Sequence, residues 1–273
     1  MKENLLKLLA EKNVKNMSFK RNLAKEYLQI IALDFIYSHK DYGQMVFYGG
    51  SCLKHCYGLP RLSEDLDFVD LRKTVKIDQL ANDLKEYFAK IGNIEVKATV
   101  QKFRIYLKFP ILRELGLVGG DEPDFLFLKV EVFNAFDFCK TFKTEIIPVF
   151  KHNRSLLIKT FDLPTMMATK IRAVFLRKWE KTDKKGDLLM KVKGRDYFDL
   201  MWYLQKKITP NLGCIENIKD AADLKDKLIG AIDKVDSKSI LLDLEPLIED
   251  MVFLNNLSKN IKLILINQIK STL

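Results

Sequence analysis

The stretch MVFYGGSCLKHCYGLPRLSEDLDF, residues 45–68, decides how this chain is read. Met45 to Tyr48 is a short β-rich run stopped by Gly49 and Gly50, and Ser51 to Tyr57 then reads as a helix with Gly58 as its C-terminal cap. Strand, glycine turn, helix is the local order. Two glycines and a serine at such a junction let backbone N–H groups approach a phosphate closely, and the helix N-terminus adds partial positive charge. Gly49, Gly50 and Ser51 can therefore cradle a triphosphate, although a glycine pair more often makes a plain turn. A second strand follows over Leu66 to Val69. Asp65 and Asp67 alternate along it, so both carboxylates share one face while Leu66 and Phe68 point to the core. That pair of hard oxygens suits Mg²⁺, its bland alternative being two solvated aspartates on an exposed strand.

Outward from this centre, apolar residues at helical spacing (Leu23, Tyr27, Ile30, Ile31, Phe35) place two helices before residue 39. Downstream, a helix around Ile77 to Ile91 precedes strands near Ile94 to Val100, Phe103 to Phe109 and Phe125 to Phe133, an α/β core with mixed strand directions. Asp162-Leu163-Pro164 combines an N-cap candidate with a first-turn proline, and from there to Leu273 helices dominate with almost no strand signal. The expected fold is α+β, with an α/β domain and its leading helices over 1–160 and a helical domain over 161–273. The lysine-, aspartate- and glycine-rich run from 178 to 193 reads as an exposed loop.

At 273 residues, 48% hydrophobic and 30% charged, the composition is that of a globular protein with room for two modest cores. No apolar run nears the ~20 residues of a membrane span, and the N-terminus lacks the apolar core of a secretory signal, so no membrane association and a cytoplasmic location are expected. Cys52, Cys56, Cys139 and Cys214 form neither a disulfide framework nor a C-x-x-C site and are expected to be reduced. Cys52, His55 and Cys56 share a short helix, where small thiols serve as filling better than as metal ligands. The net charge of +10 favours a polyanionic partner.

The string Gly49-Gly50-Ser51-x-Leu53, then Gly58-x-x-Arg61-x-Ser63-x-Asp65-Leu66-Asp67-Phe68, resembles the signature of the AbiEii toxin family of nucleotidyltransferases, within the DNA polymerase β-like superfamily. Lys170-x-x-Ala173-x-x-x-Arg177 resembles that family's third motif, and Arg195-Asp196-x-x-Asp199-Leu200 its fourth. The resemblance covers roughly residues 20 to 205. It implies a polymerase-β-like nucleotidyltransferase domain followed by a helical one, with NTP phosphates on Gly49, Gly50, Ser51, Arg61 and Lys170 and two Mg²⁺ ions on Asp65 and Asp67. It further implies a toxin with a cognate antitoxin protein, which transfers NMP to RNA, in some members the tRNA 3′ end, and so blocks translation.

Four further residues stand out on physical grounds, and the resemblance implies catalytic roles for them. Lys170 lies within the apolar stripe Met166, Met167, Ile171 and Val174, where a charge needs a partner or must snorkel to solvent. Its expected place is beside the glycine–serine turn, neutralising the triphosphate. Asp196 and Asp199, three apart on one helix, can orient Lys170 or Arg177, or simply favour the helix N-terminus. Glu131 sits in the apolar strand Leu128 to Phe133, either as a third catalytic carboxylate or in a salt bridge with Lys129 or Arg104. Arg61 and Ser63 shape the turn that presents the aspartates. Arg104, Lys108, Arg172, Arg177 and the 178–193 run are the basic candidates for gripping RNA. Two other readings compete: transfer to a small-molecule or protein hydroxyl, and a nucleotide-binding module without catalysis.

Overall fold

The β-rich run before the glycines is strand β1 (Val46–Tyr48), and its neighbours in space come from distant parts of the chain. The computed structural model describes residues 1–11, 16–177, 179–183 and 185–273; Lys178 and Lys184, two of the basic residues expected near RNA, lie outside the described residues. The chain divides into two units, one of residues 1–136 and 144–160, the other of residues 137–143 and 161–273.

In the first unit, α1 (Lys2–Ala10) and α2 (Met17–Ser38) lead in, α2 being capped by Asn16, whose side chain accepts from the Phe19 amide at 3.0 Å. After β1 come α3 (Gly49–Tyr57), β2 (Asp65–Val69), α4 (Ile77–Gly92), β3 (Lys97–Gln101), β4 (Arg104–Phe109) and β5 (Leu126–Phe133). Two more strands follow, β6 (Thr144–Lys151) and β7 (Arg154–Phe161). They form one seven-stranded sheet in the order β3-β4-β5-β2-β1-β7-β6. β2 runs parallel to β5 and β1 parallel to β7, whereas β1–β2, β3–β4 and β4–β5 are antiparallel. Phe47, Leu66, Phe68, Ile105, Leu107 and Val130 are buried between sheet and helices, and Leu28, Ile30 and Leu33 of α2 join that core.

Strands β6 and β7 are not among those expected from the sequence, although the two β-rich runs are joined by His152 and Asn153, both at positive φ as a two-residue hairpin turn requires. Pro148 within β6 argues locally against a strand, yet β6 is the last strand of the sheet, where a missing N–H leaves no inter-strand bond unmade on the open side.

In the second unit α5 (Leu163–Leu176) starts where the sequence places it, Asp162 accepting from the Thr165 amide at 3.1 Å with proline in the first turn. The run read as an exposed loop contains a small hairpin, β8 (Lys181–Thr182) and β9 (Leu188–Met190). α6 (Gly194–Gln205) is buried along most of its length and packs against α5, α8 (Ser237–Leu244) and α9 (Met251–Thr272), with α7 (Ala221–Ile232) lying on α9. At Gly194 a Cβ would stand 2.9 Å from Ile240 Cα, so glycine sets how closely α6 and α8 approach.

Cys139 and Cys214 are disulfide-linked, which corrects the expectation of four reduced thiols; 75 residues separate them, so local spacing carries no hint of the pair. Cys52 and Cys56 are free thiols. Among the described residues no helix is long and apolar enough to cross a membrane.

Candidate active site

Helix α3 starts on the glycines themselves, so the amides of Gly49, Gly50 and Ser51 occupy its first turn, where N–H groups have no acceptor within the helix. Gly49 has φ +79°, a left-handed conformation, and a Cβ there would lie 2.6 Å from Asp67 Oδ2. The absent side chain thus lets the Asp67 carboxylate approach the turn. At Gly50 a Cβ would meet Arg61 Nη2 at 2.7 Å and Ser63 Oγ at 2.9 Å. Arg61 and Ser63 are buried, as befits residues that shape the turn, and Arg61 Nη1 donates to the Leu62 carbonyl at 2.8 Å. Gln29 Nε2 in turn donates to the Ser63 carbonyl at 2.9 Å. The buried Ser51 hydroxyl donates to the Asp65 carbonyl. Its side chain ties the helix start to β2, leaving the backbone amides as the turn's donors toward a ligand.

His55 hydrogen-bonds Gln29 Oε1 at 2.9 Å, and burial pushes its imidazole well below the ordinary histidine value. That neutral, internally bonded ring beside buried Cys52 fits the structural role expected for the helix.

The acidic half of the site follows from strand register. Asp65 pairs across β2–β5 with Lys129, and Asp67 with Glu131. Lys129 Nζ lies 2.9 Å from Asp65 Oδ2 and 2.8 Å from Glu131 Oε1, while Arg104 Nε lies 2.9 Å from the same Glu131 oxygen. Glu131 is therefore held in ion pairs with both of its expected partners. Burial raises the Asp65 carboxyl above its ordinary value, against the opposing pull of Lys129. Burial would lower the Lys129 ammonium, but Asp65 and Glu131 together raise it. In the sequence Lys129 stands out only as a partner for Glu131. Its position two residues before Glu131 in a period-2 strand was the available signal that it shares the aspartates' face.

Among the described residues no group of three or more His, Cys, Asp or Glu side chains converges as a metal site. Asp65 and Asp67 alone are the fitting pair: Mg²⁺ commonly takes one or two protein carboxylates and completes its shell with phosphate oxygens and water. On the same face the Lys129 ammonium balances Asp65 and Glu131.

In the second unit Lys170 is nearly buried on α5, its Nζ 2.9 Å from Asp196 Oδ1 and 2.8 Å from Asp199 Oδ2. Arg177 Nη1 reaches the other Asp196 oxygen at 2.6 Å. The apolar-face lysine has its compensating anions. Burial pushes the Asp196 carboxyl up, but Lys170 and Arg177 outweigh it and hold it below the usual range. Next to this cluster is a cavity of about 540 Å³ lined by Arg177, Trp179, Lys191, Lys193 and Tyr197. Burial, then the Arg195 and Arg177 guanidiniums, lower the Lys193 ammonium to about 8. Neither Trp179 nor Lys193 carries a motif; Lys193 stands one turn before Asp196 at the start of α6, and the fold adds Trp179. Arg172 is engaged in a two-bond pair with Glu216, at 2.6 and 2.5 Å, and stacks on Phe138.

Three comparisons bear on this arrangement. A family profile described as nucleotidyl transferase AbiEii toxin, type IV TA system, matches residues 34–261. No curated protein sequence matches. Among solved structures, JHP933 from Helicobacter pylori superimposes with a TM-score of 0.54 at 19% identity, over 92% of this chain and 93% of that one. A presumed nucleotidyltransferase from H. pylori does so with a TM-score of 0.54 at 20% identity and the same coverage. At that identity the two structures speak for the fold.

Proposed function

Because the chain belongs to the AbiEii nucleotidyl transferase toxin family of type IV toxin–antitoxin systems, we propose that it transfers NMP from an NTP to an RNA hydroxyl, with the tRNA 3′ end as acceptor and arrest of translation as the consequence. The observation that carries this reading is the apposition of Gly49 and Asp67: the first-turn amides of α3 and the carboxylates of β2 are built into one surface. Phosphate-accepting donors beside paired hard oxygens are what an attack on a nucleotide's α-phosphorus needs.

In this reading the amides of Gly49, Gly50 and Ser51 hold the triphosphate, with Arg61 supporting the turn from behind. Asp65 and Asp67 would hold Mg²⁺, which would supply Lewis-acid chemistry to the transfer. The acceptor hydroxyl gives up its proton to solvent as its oxygen bonds to the α-phosphorus, the bond from that phosphorus to the α,β-bridging oxygen breaks, and pyrophosphate departs. Lys170, held by Asp196 and Asp199, is the cation that the family resemblance assigns to the triphosphate. Glu131 acts by holding Lys129 against Asp65. A cognate antitoxin is the protein partner, and the cytoplasm, where NTPs and tRNA meet, is the site of action.

The test is incubation of the purified protein with each α-labelled NTP, Mg²⁺ and total RNA, alongside Asp67→Ala. Label in RNA with wild type alone supports the proposal. Label only in protein or a small molecule overturns the RNA acceptor, and absence of any label overturns transfer itself.

A further inference from the structure

The sheet face that presents Asp65 and Asp67 does not end at β5. The register continues it across β4 and β3 in cross-strand rows. One row runs Asp67, Glu131, Arg104, Gln101, and the next runs Asp65, Lys129, Tyr106, Thr99. A third, lacking a β2 member, is Phe127, Lys108, Lys97. Alternate residues of the same strands, such as Leu128, Val130, Ile105 and Leu107, are buried beneath, so these rows form the outward side.

The composition of that side changes with distance from the carboxylates. Around Asp65 and Glu131 the charges are mutually paired. In the third row they are not: among the described residues Lys108 has no carboxylate at ion-pair distance, and Lys97 reaches Glu95 only at 4.0 Å. Instead the ammoniums lie beside rings, Lys108 Nζ 5.9 Å from the Phe127 centroid and Lys97 Nζ 6.0 Å from that of Phe125. Phe127, beyond the end of the pairing with β2, is 43% exposed, an open apolar ring beside the lysines.

We propose that the outer face of β3, β4 and β5 is a track for the single-stranded end of a polynucleotide, with Phe127 and Tyr106 as stacking platforms and Lys108 and Lys97 meeting its phosphates. This rests on the acceptor being RNA. A lysine without a carboxylate partner, Lys108, and one with only a long contact to Glu95, Lys97, next to an open ring are complementary to a strand that offers phosphates and base faces together. A duplex offers its phosphates but keeps its base faces stacked inside, leaving Phe127 nothing to meet. Three strand spacings, about 14 Å in all, separate β2 from β3, so a strand lying across the rows can bring its terminal hydroxyl to Asp65 and Asp67.

The experiment measures fluorescence anisotropy of a 5′-labelled single-stranded oligoribonucleotide, and of a blunt duplex of equal length, with the full chain and no NTP. Wild type is expected to prefer the single strand. Phe127→Ala should weaken single-strand binding roughly ten-fold through loss of one stacked base, and Lys108→Glu should lower the log–log salt slope by about 0.7. Lys238→Glu, the same charge change on an exposed helix position of the second unit, should do neither. Thermal melts of the variants control for folding. Wild-type binding in Phe127→Ala and Lys108→Glu, or equal losses in Lys238→Glu, overturns the track. So does loss of antitoxin binding with RNA binding intact, which assigns the face to the antitoxin. If wild type labels RNA while these variants keep its KM for RNA, the track fails and the RNA acceptor stands. If wild type labels only protein or a small molecule, the acceptor reading itself has failed.

Discussion

Lys129 stands opposite Asp65 in the parallel pairing of β2 and β5, and its ammonium lies 2.9 Å from the Asp65 carboxylate while reaching Glu131 at 2.8 Å. Carboxylates gathered on one sheet face repel one another unless a cation balances them. One lysine shared between two acids provides that balance.

Lys129→Met leaves Asp65 and Glu131 without their shared cation. Removing one member of a partly exposed ion pair should lower stability by about 1 kcal/mol in metal-free buffer, the value reduced for solvent screening. Mg²⁺ or Mn²⁺ should restore much of the loss by supplying another cation. Thermal denaturation with and without metal checks this, and an unchanged metal-free Tm would contradict it.

Gly49 and Gly58 make a matched pair, since both are left-handed, with φ +79° and +75°, but only Gly49 faces a carboxylate, Gly58 having nothing within 4 Å of a would-be Cβ. Alanine at either should cost about 1–2 kcal/mol for the backbone conformation. Gly49→Ala must also displace Asp67, and a shift of about 1 Å at a reacting centre can cost ~100-fold in rate. The expected result is comparable Tm losses with transfer abolished or nearly so in Gly49→Ala and retained in Gly58→Ala. Equal activities would separate Asp67 from the chemistry.

Asp196 governs part of the acid limb of stability. Burial alone would raise its carboxyl, yet Lys170 and Arg177 bring the folded value below the unfolded one of about 4. Its ionised form therefore contributes fully above pH ~4, and the contribution is lost as pH falls further, through the folded value. Asp196→Asn should lower the Tm at neutral pH and flatten the decline below pH 4. An acid limb identical to wild type would show that this carboxylate is not what titrates there.

Lys193 has the opposite linkage. Its folded value of about 8 lies below the unfolded value of about 10.4, so the charged form is disfavoured by folding. Relative to high pH, stability is lost as pH falls from about 10 through 8. Lys193→Met should accordingly raise the Tm by a few degrees at pH 7, with the gain shrinking toward pH 10. A destabilised variant at pH 7 would mean that the ammonium contributes more through its contact with the Trp179 ring, 5.0 Å from the centroid, than burial costs it.

Several features of this protein are written in local sequence because short-range physics suffices for them. Gly49 and Gly50 end β1 and open α3, Asp65 and Asp67 share a face by the period of a strand, and Asp162 with Pro164 starts α5. Each follows from turn chemistry, a two-residue repeat or a cap within a few positions. What only the tertiary structure decided is which of these meet. Lys129 lies against Asp65, Gly49 against Asp67, Lys170 between Asp196 and Asp199, and Cys139 on Cys214 across 75 residues. Strand β6, whose Pro148 counts against it locally, exists because the sheet offers it an edge. Such pairings depend on strand register and helix contact between segments far apart in the chain, and a one-residue slip in register would turn Lys129 and Glu131 away from the aspartates altogether.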